Sequence, residues 1–154
     1  MHTCAEQGNS YAQSNLGRIY RVGIGVPNDD VEAVRWFQSA SEQGLPVAQR
    51  SLGYMYTSGQ GVPQDDAEAA RWLRLAAEQG NALTQASLGG MYANGYGVPE
   101  DIVLSYMFYN LAAAQGHEIS QGNKDIIEQQ MTREEIAEAQ RLSREWLEAH
   151  PSGN

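Results

Sequence analysis

A period of 36 residues is the feature that most restricts how this chain can fold. The stretch Gly59 to Asp66 stands 36 residues after a matching stretch, Gly23 to Asp30, and 36 residues before a third, Gly95 to Ile102. Residues 5–40 and 41–76 are identical at 19 of 36 aligned positions, and residues 77–112 continue the register. A fixed period without insertions predicts a stack of like structural units, each packing on its neighbours.

Each unit is predicted to be a pair of helices, because its apolar residues recur every three or four positions and never alternate. Asp29 and Asp65 each precede a glutamate by three residues, which predicts an acidic capping box at the start of each second helix. Gly17, Gly53 and Gly89 fall in the middle of the first helices. Because glycine costs about 1 kcal/mol there, we expect close helix–helix approach, with Trp36 or Trp72 filling the adjacent space. Tyr20, Tyr56, Tyr92, Trp36 and Trp72 recur in register and are predicted to be core residues.

The predicted fold class is all-α, an α/α superhelical solenoid of helix-turn-helix repeats with a period of 36 residues. We predict these segments: a remnant of a preceding repeat helix (1–4), three repeats (5–40, 41–76 and 77–112), a C-terminal capping helix pair (113–150) and a tail (151–154). The repeat register fades after Gly116, which is why residues 113–150 are assigned to a cap; end repeats need a polar outer face.

The repeated residues resemble the Sel1-like repeat family of bacterial type, a relative of the tetratricopeptide repeats. The second copy shows the family pattern as Gln43-Gly44, Ala48-Gln49, Leu52-Gly53, Tyr56, Gly59 to Pro63, Asp65, Ala69 and Trp72-Leu73. The resemblance implies an α/α superhelix and a role as an adaptor that holds other proteins. One branch of the family is cysteine-rich and linked to β-lactam binding; with a single cysteine, Cys4, this chain departs from that branch.

Composition argues against several functional classes. The net charge of -9 disfavours binding to nucleic acid or anionic lipid. The sequence contains no run of 18 apolar residues, so membrane insertion is not predicted. One cysteine provides neither a disulfide framework nor a cysteine-based metal cage. No export signal is evident, and the compartment stays open between bacterial cytoplasm and periplasm.

We predict no catalytic residues, no metal site and no cofactor. The Gly-x-Gly loops lack the preceding strand of a phosphate-binding loop, and the acidic clusters beside them are explained by helix capping. The histidines have no partner at metal-ligand spacing and are expected to be solvated; they are His2, His117 and His150. Cys4 falls in a small-residue packing position and is expected to be inert.

Recognition is predicted to use the positions that do not repeat. Taking about 100° per residue, four positions of each first helix lie opposite the buried leucine and would line the concave face of the superhelix. Arginine and tyrosine are common in binding hot spots, and three arginines gather on this predicted face. The candidate protein-binding residues are Tyr11, Ser14, Arg18, Arg21, Val47, Arg50, Tyr54, Thr57, Leu83, Ala86 and Gly90. The alternative is that they form ordinary solvated surface.

The favoured function is a non-catalytic scaffold that holds a segment of a partner protein in its concave face. Two alternatives remain. One is a self-assembling module, a homodimer through an uncapped N-terminal end. The other is a hydrolase acting on β-lactam or cell-wall material, for which no polar cluster in a cleft is evident.

Overall fold

A computed structural model describes residues 2–151, and within them the backbone forms helices and turns without a β-strand. The helices are α1 (His2–Glu6), α2 (Ser10–Val22), α3 (Asp30–Glu42), α4 (Pro46–Ser58), α5 (Asp66–Ala77), α6 (Ala82–Asn94), α7 (Ile102–Ala114), α8 (Glu118–Glu128) and α9 (Arg133–Ala149). The predicted 1–4 remnant lies within α1 from residue 2 onward. Of the predicted 151–154 tail, only Pro151 is among the described residues.

The chain divides into two compact units, Met1–Ala76 (unit 1) and Ala77–Asn154 (unit 2). The core of unit 1 joins α3, α4 and α5 through buried side chains that include Phe37, Leu52, Met55 and Trp72. In unit 2 the rings of Tyr92 and Phe108 stack with centroids 5.7 Å apart. Tyr106 and Leu111 are buried as well. Each unit therefore has an apolar core of its own.

The first helix of each pair begins at intervals of 36 residues without deviation. The first helices have their N-caps at Asn9, Leu45, Asn81 and His117, each 36 residues after the last. The side chains of Asn9, Asn81 and His117 accept from the backbone N–H three residues on. Leu45 has no side-chain acceptor, so the N–H of Ala48 donates to the Leu45 backbone oxygen at 3.1 Å, and Pro46 at the first helical position has no N–H to satisfy. The start of α8 thus keeps the 36-residue spacing, although the repeated residues themselves fade after Gly116.

The mid-helix glycines do mark close approach, but the residue beside them differs from the prediction. A Cβ built on Gly17 would lie 2.7 Å from the ring of Phe37, and one on Gly53 would lie 2.7 Å from Cγ of Leu73. Tyr109 takes the same place beside Gly89. Trp36 and Trp72 stand one residue earlier in the chain and so point elsewhere on their helices.

Only one of the two hydrogen bonds of each predicted acidic capping box forms. Asp29 accepts from the backbone N–H of Glu32, but the Glu32 carboxylate pairs with Arg35 at 3.3 Å instead of returning to the cap. A complete box forms at Thr132 and Glu135, where both reciprocal bonds are present. At Asp29 the backbone N–H instead donates to the Tyr20 oxygen at 2.9 Å, so it is not left for the Glu32 carboxylate.

Several residues are exposed or buried differently from expectation. Trp72 and Tyr92 are buried as predicted, whereas the predicted core residues Tyr20, Tyr56 and Trp36 are half-buried. Cys4 is exposed, and the neighbouring Ala5 takes the buried position.

The histidines are not simply solvated. His117 caps α8, His150 stacks on Trp146 with centroids 4.3 Å apart, and His2 packs edge-on against aromatic rings of unit 1.

Candidate protein-binding face

A surface depression of about 220 Å³ lies in unit 1 between outward-facing residues of α2 and α4. Six of the eleven predicted binding residues line it, together with three that the sequence analysis did not select. The predicted ones are Tyr11, Ser14, Arg18, Arg21, Val47 and Arg50, and the additional ones are Asn15, Ser51 and Phe37. We call this set the arginine depression.

Local sequence explains the geometry of the depression. Residues 11, 14, 18 and 21 are spaced by three and four, so they form one stripe along α2. The stripe lies away from Ala12, Leu16 and Gly17, which are buried. Because Gly17 has no side chain, the ring of Phe37 lies directly against α2. That ring is 2% exposed and makes an apolar contribution to the lining.

The depression is cationic and contains no carboxylate. Its lining includes three arginines, and no aspartate or glutamate. Elsewhere arginines pair with glutamates on their own helix, as Arg71 does with Glu68 at 2.9 Å. Within residues 2–151, by contrast, no carboxylate lies within ion-pair distance of Arg18, Arg21 or Arg50. Their guanidinium groups are available to an external anion.

Two apolar residues of the lining, unlike Phe37, are exposed. Tyr11 is 68% exposed and Val47 is 44% exposed. Ser51 is already engaged, since its hydroxyl donates to the backbone oxygen of Val47 at 2.9 Å. The depression can therefore offer positive charge and apolar surface side by side.

The other predicted residues do not line the arginine depression. Tyr54 and Thr57 lie further along α4, and the Thr57 hydroxyl donates to the Gly53 oxygen at 3.0 Å. Leu83, Ala86 and Gly90 belong to α6 in unit 2, where Leu83 is 53% exposed.

Asn15 and Ser51 were missed because they stand one position from the selected stripe, although their own 36-residue spacing was visible in the sequence.

Unit 2 carries the same register onto α8, which the sequence analysis had assigned to the cap. Ser120 and Ile127 are buried, as are Thr84 and Met91, their equivalents 36 residues earlier. The face of α8 that matches the predicted binding stripe therefore points outward. It contains Ile119, Gly122 and Ile126, and the two isoleucines are 70% and 60% exposed. In this unit the stripe is apolar and uncharged.

The structure gives no indication of metal binding or membrane crossing in the part of the chain that it describes. No three histidine, cysteine, aspartate or glutamate side chains among residues 2–151 lie close enough to hold a metal ion. None of the described helices has both the length and the hydropathy needed to cross a bilayer.

Comparison with models of known protein families identifies the family of this chain. A family model described as the Sel1 repeat matches three consecutive segments, residues 10–45, 46–81 and 82–117. The chain belongs to the Sel1 repeat family. Its fold class is the all-α solenoid of tandem 36-residue helix pairs, as the period predicted. Sel1 repeat proteins are generally protein-interaction scaffolds and are typically non-catalytic.

Solved structures agree with this assignment. The chain is 36% identical to c5321, a protective antigen present in uropathogenic Escherichia coli strains and displaying an SLR fold, with a TM-score of 0.86 over 95% of this chain. It spans only 31% of that protein's length. A Sel1 repeat protein from Oxalobacter formigenes is 40% identical, with a TM-score of 0.73 over 80% of this chain and 93% of that one. Comparison with curated proteins gave no significant match.

Proposed function

We propose that this Sel1 repeat protein is a non-catalytic scaffold whose arginine depression binds an acidic segment of a partner protein. The observation that carries the proposal is the grouping of Arg18, Arg21 and Arg50 around one depression without a carboxylate. An acidic segment would supply the carboxylates that these groups lack. Guanidinium groups bind carboxylates with two parallel hydrogen bonds, which gives orientation as well as attraction.

The partner segment should also carry an apolar side chain next to its acidic residues. Val47 and the ring of Tyr11 offer an exposed apolar surface within the same depression. A volume of about 220 Å³ accommodates one or two side chains and is too small for a folded domain. The proposed ligand is therefore a short linear segment, with aspartate or glutamate flanking a valine- or leucine-sized residue.

The apolar stripe of unit 2 is proposed to serve the same role for uncharged parts of a partner. Leu83 on α6 and the exposed isoleucines of α8 are large aliphatic residues, with Ala86, Gly90 and Gly122 as small residues in the same register. Small residues beside large ones leave room for an incoming aliphatic side chain.

Charge reversal tests the proposal for unit 1. The probe is a fluorescein-labelled decapeptide in which glutamates flank a central valine, and its affinity is measured by anisotropy. We expect the double variant Arg18→Glu, Arg50→Glu to bind at least about tenfold more weakly, because it removes two attractions and adds two repulsions. Raising the salt concentration should weaken binding to the wild-type protein and have little effect on the variant.

The matched control is Arg74→Glu. Arg74 is an exposed arginine of α5 in unit 1, outside the lining of the depression. The Arg74→Glu substitution makes the net charge more negative, by half as much as the double variant does. If Arg74→Glu weakens binding of the peptide as much as Arg18→Glu alone does, the effect comes from net charge and the assigned site is wrong. Proteins captured from lysate by the wild type and by Arg74→Glu, but not by the double variant, are the candidate partners.

A further inference from the structure

A second and larger cavity, of about 600 Å³, lies entirely within unit 2. It is bounded by the C-terminal ends of α7 and α9 and by the residues that directly follow α5. Its volume falls in the range of small-molecule sites, roughly 300–1,000 Å³. None of its lining residues belongs to the arginine depression or to the apolar stripe, so the scaffold function leaves it unexplained.

Two helices direct their negative ends to this cavity. Leu111, Ala114 and Gln115 mark the end of α7, and Leu147 and His150 mark the end of α9. The last turn of a helix carries a partial negative charge, about half an elementary charge, on carbonyl oxygens without intrahelical donors. Two such ends at one cavity make it attractive to a positive charge.

Carbonyl groups at both helix ends lack backbone donors. The N–H groups of residues 115–117 are bonded to the oxygens of Ala112 and Ala113. Among residues 2–151, this leaves the Ala114 oxygen without a backbone N–H. At the end of α9 the residue that would donate to the Leu147 oxygen is Pro151, which has no N–H.

The side chains of the cavity favour an organic cation over a metal ion. Glu78 supplies a carboxylate, and the lining contains neither lysine nor arginine. Trp146 supplies an indole ring, and His150, which also lines the cavity, stacks on one face of it with centroids 4.3 Å apart, so the opposite face is the one that can attract a cation. Leu147 is 52% exposed and adds aliphatic surface, against which the apolar body of a ligand can pack, while the buried Leu111 lines the inner wall. A bare metal ion would leave most of 600 Å³ unfilled.

We propose that this cavity binds an organic cation, an ammonium or guanidinium group carried on a small apolar body. The charged group lies among Glu78, the carbonyl oxygens of the helix ends and the indole face, while the apolar body contacts the leucines. Such a group occurs in free amines and in the basic side chains of proteins, and the experiment separates these two sources.

The test uses the full ¹⁵N-labelled chain and follows amide shifts of Gln115, Leu147 and His150. The probes are 2-phenylethylammonium, its neutral analogue 2-phenylethanol, and an arginine tripeptide with blocked ends. We expect one of the two cations to bind; for 2-phenylethylammonium, which has about nine heavy atoms, a dissociation constant of about 1 mM is reasonable. The neutral analogue should bind about fivefold more weakly or worse. Binding of the amine identifies a small-molecule site, and binding of the tripeptide alone identifies recognition of a basic side chain.

The matched variants are Glu78→Gln and Glu42→Gln. Glu42 stands 36 residues earlier at the same repeat position, outside the cavity. We expect Glu78→Gln to weaken binding of the cation about threefold, since a partly exposed ion pair contributes modestly to binding. Glu42→Gln should have no effect on binding. Equal binding of 2-phenylethanol, or no shift of the cavity amides with either cation at about 20 mM, would overturn the proposal.

Discussion

Gly25 and Gly61 form a matched pair that separates the conformational need for glycine from its packing need. They are equivalent positions of successive repeats, with φ angles of 73° and 72°. A Cβ built on Gly25 meets nothing within 4 Å, whereas one built on Gly61 would lie 2.2 Å from the backbone oxygen of Asp30. Alanine therefore encounters the same backbone strain at both sites, but a collision with the first residue of α3 at only one.

The difference between the two variants can be estimated from this geometry. A left-handed alanine costs about 1–2 kcal/mol at either position. At Gly61 the contact must lengthen by about 1 Å, and both groups belong to backbone that can move only together with its helix. Overpacking of this kind costs about 1–3 kcal/mol more. In a chain of this size each kcal/mol lowers Tm by about 2–4 °C, so we expect Gly61→Ala to melt about 2–12 °C below Gly25→Ala.

Thermal unfolding followed by far-UV circular dichroism measures both variants and the wild type under identical conditions. Midpoints are compared, because an array of repeats need not unfold in two states. Amide exchange at the start of α3 supplies a local readout, which we expect to be faster in Gly61→Ala only. Equal Tm values for the two variants would show that the contact with Asp30 carries no energetic weight and would refute the reasoning.

Two further predictions concern stability. Gly122→Ala should raise the free energy of unfolding by about 1 kcal/mol, because Gly122 lies within α8 with nothing within 4 Å of the added methyl group. Gly53→Ala gains the same helix propensity but meets Leu73, so its urea midpoint should fall below that of Gly122→Ala. Burial raises the pKa of the Tyr109 phenol, so its contribution to stability is present below about pH 10 and is lost as the pH rises through the folded-state value. Above pH 10 the Tm of the Tyr109→Phe variant should therefore fall less with rising pH than the Tm of the wild type. Parallel curves of Tm against pH would contradict this.

Part of the candidate site followed from the sequence and part did not. The stripe along α2 could be predicted because Tyr11, Arg18 and Arg21 share a face through helical spacing alone, whatever packs behind them. The pairing of that stripe with Val47 and Arg50 followed from the period. The exclusion of Tyr54 and Thr57 from the depression could not be predicted, because helical spacing alone does not set how far along α4 the depression extends.

The cavity of unit 2 had no sequence signal. Glu78, Leu111 and Trp146 are far apart in the chain, and although Glu78 repeats Glu42, nothing in the repeat indicates that it meets Trp146, which lies outside the three repeats. They meet because α7 and α9 end at the same place, which is a property of packing and not of local sequence. The capping role of His117 was hidden for a different reason, since histidine is an unusual N-cap and only its position 36 residues after Asn81 indicated it.

The sequence by itself determined the period, the helix pairs, the position of nearly every helix start and the family. These features depend on interactions between residues three or four apart, or on exact repetition, and both can be read from a linear chain. Only the tertiary structure decided which of two equivalent glycines meets a neighbouring backbone, which ring lies against Gly17, and which helix ends enclose a cavity. Those outcomes depend on distances between residues remote in sequence, and equivalent positions of successive repeats have different surroundings, as Gly25 and Gly61 show.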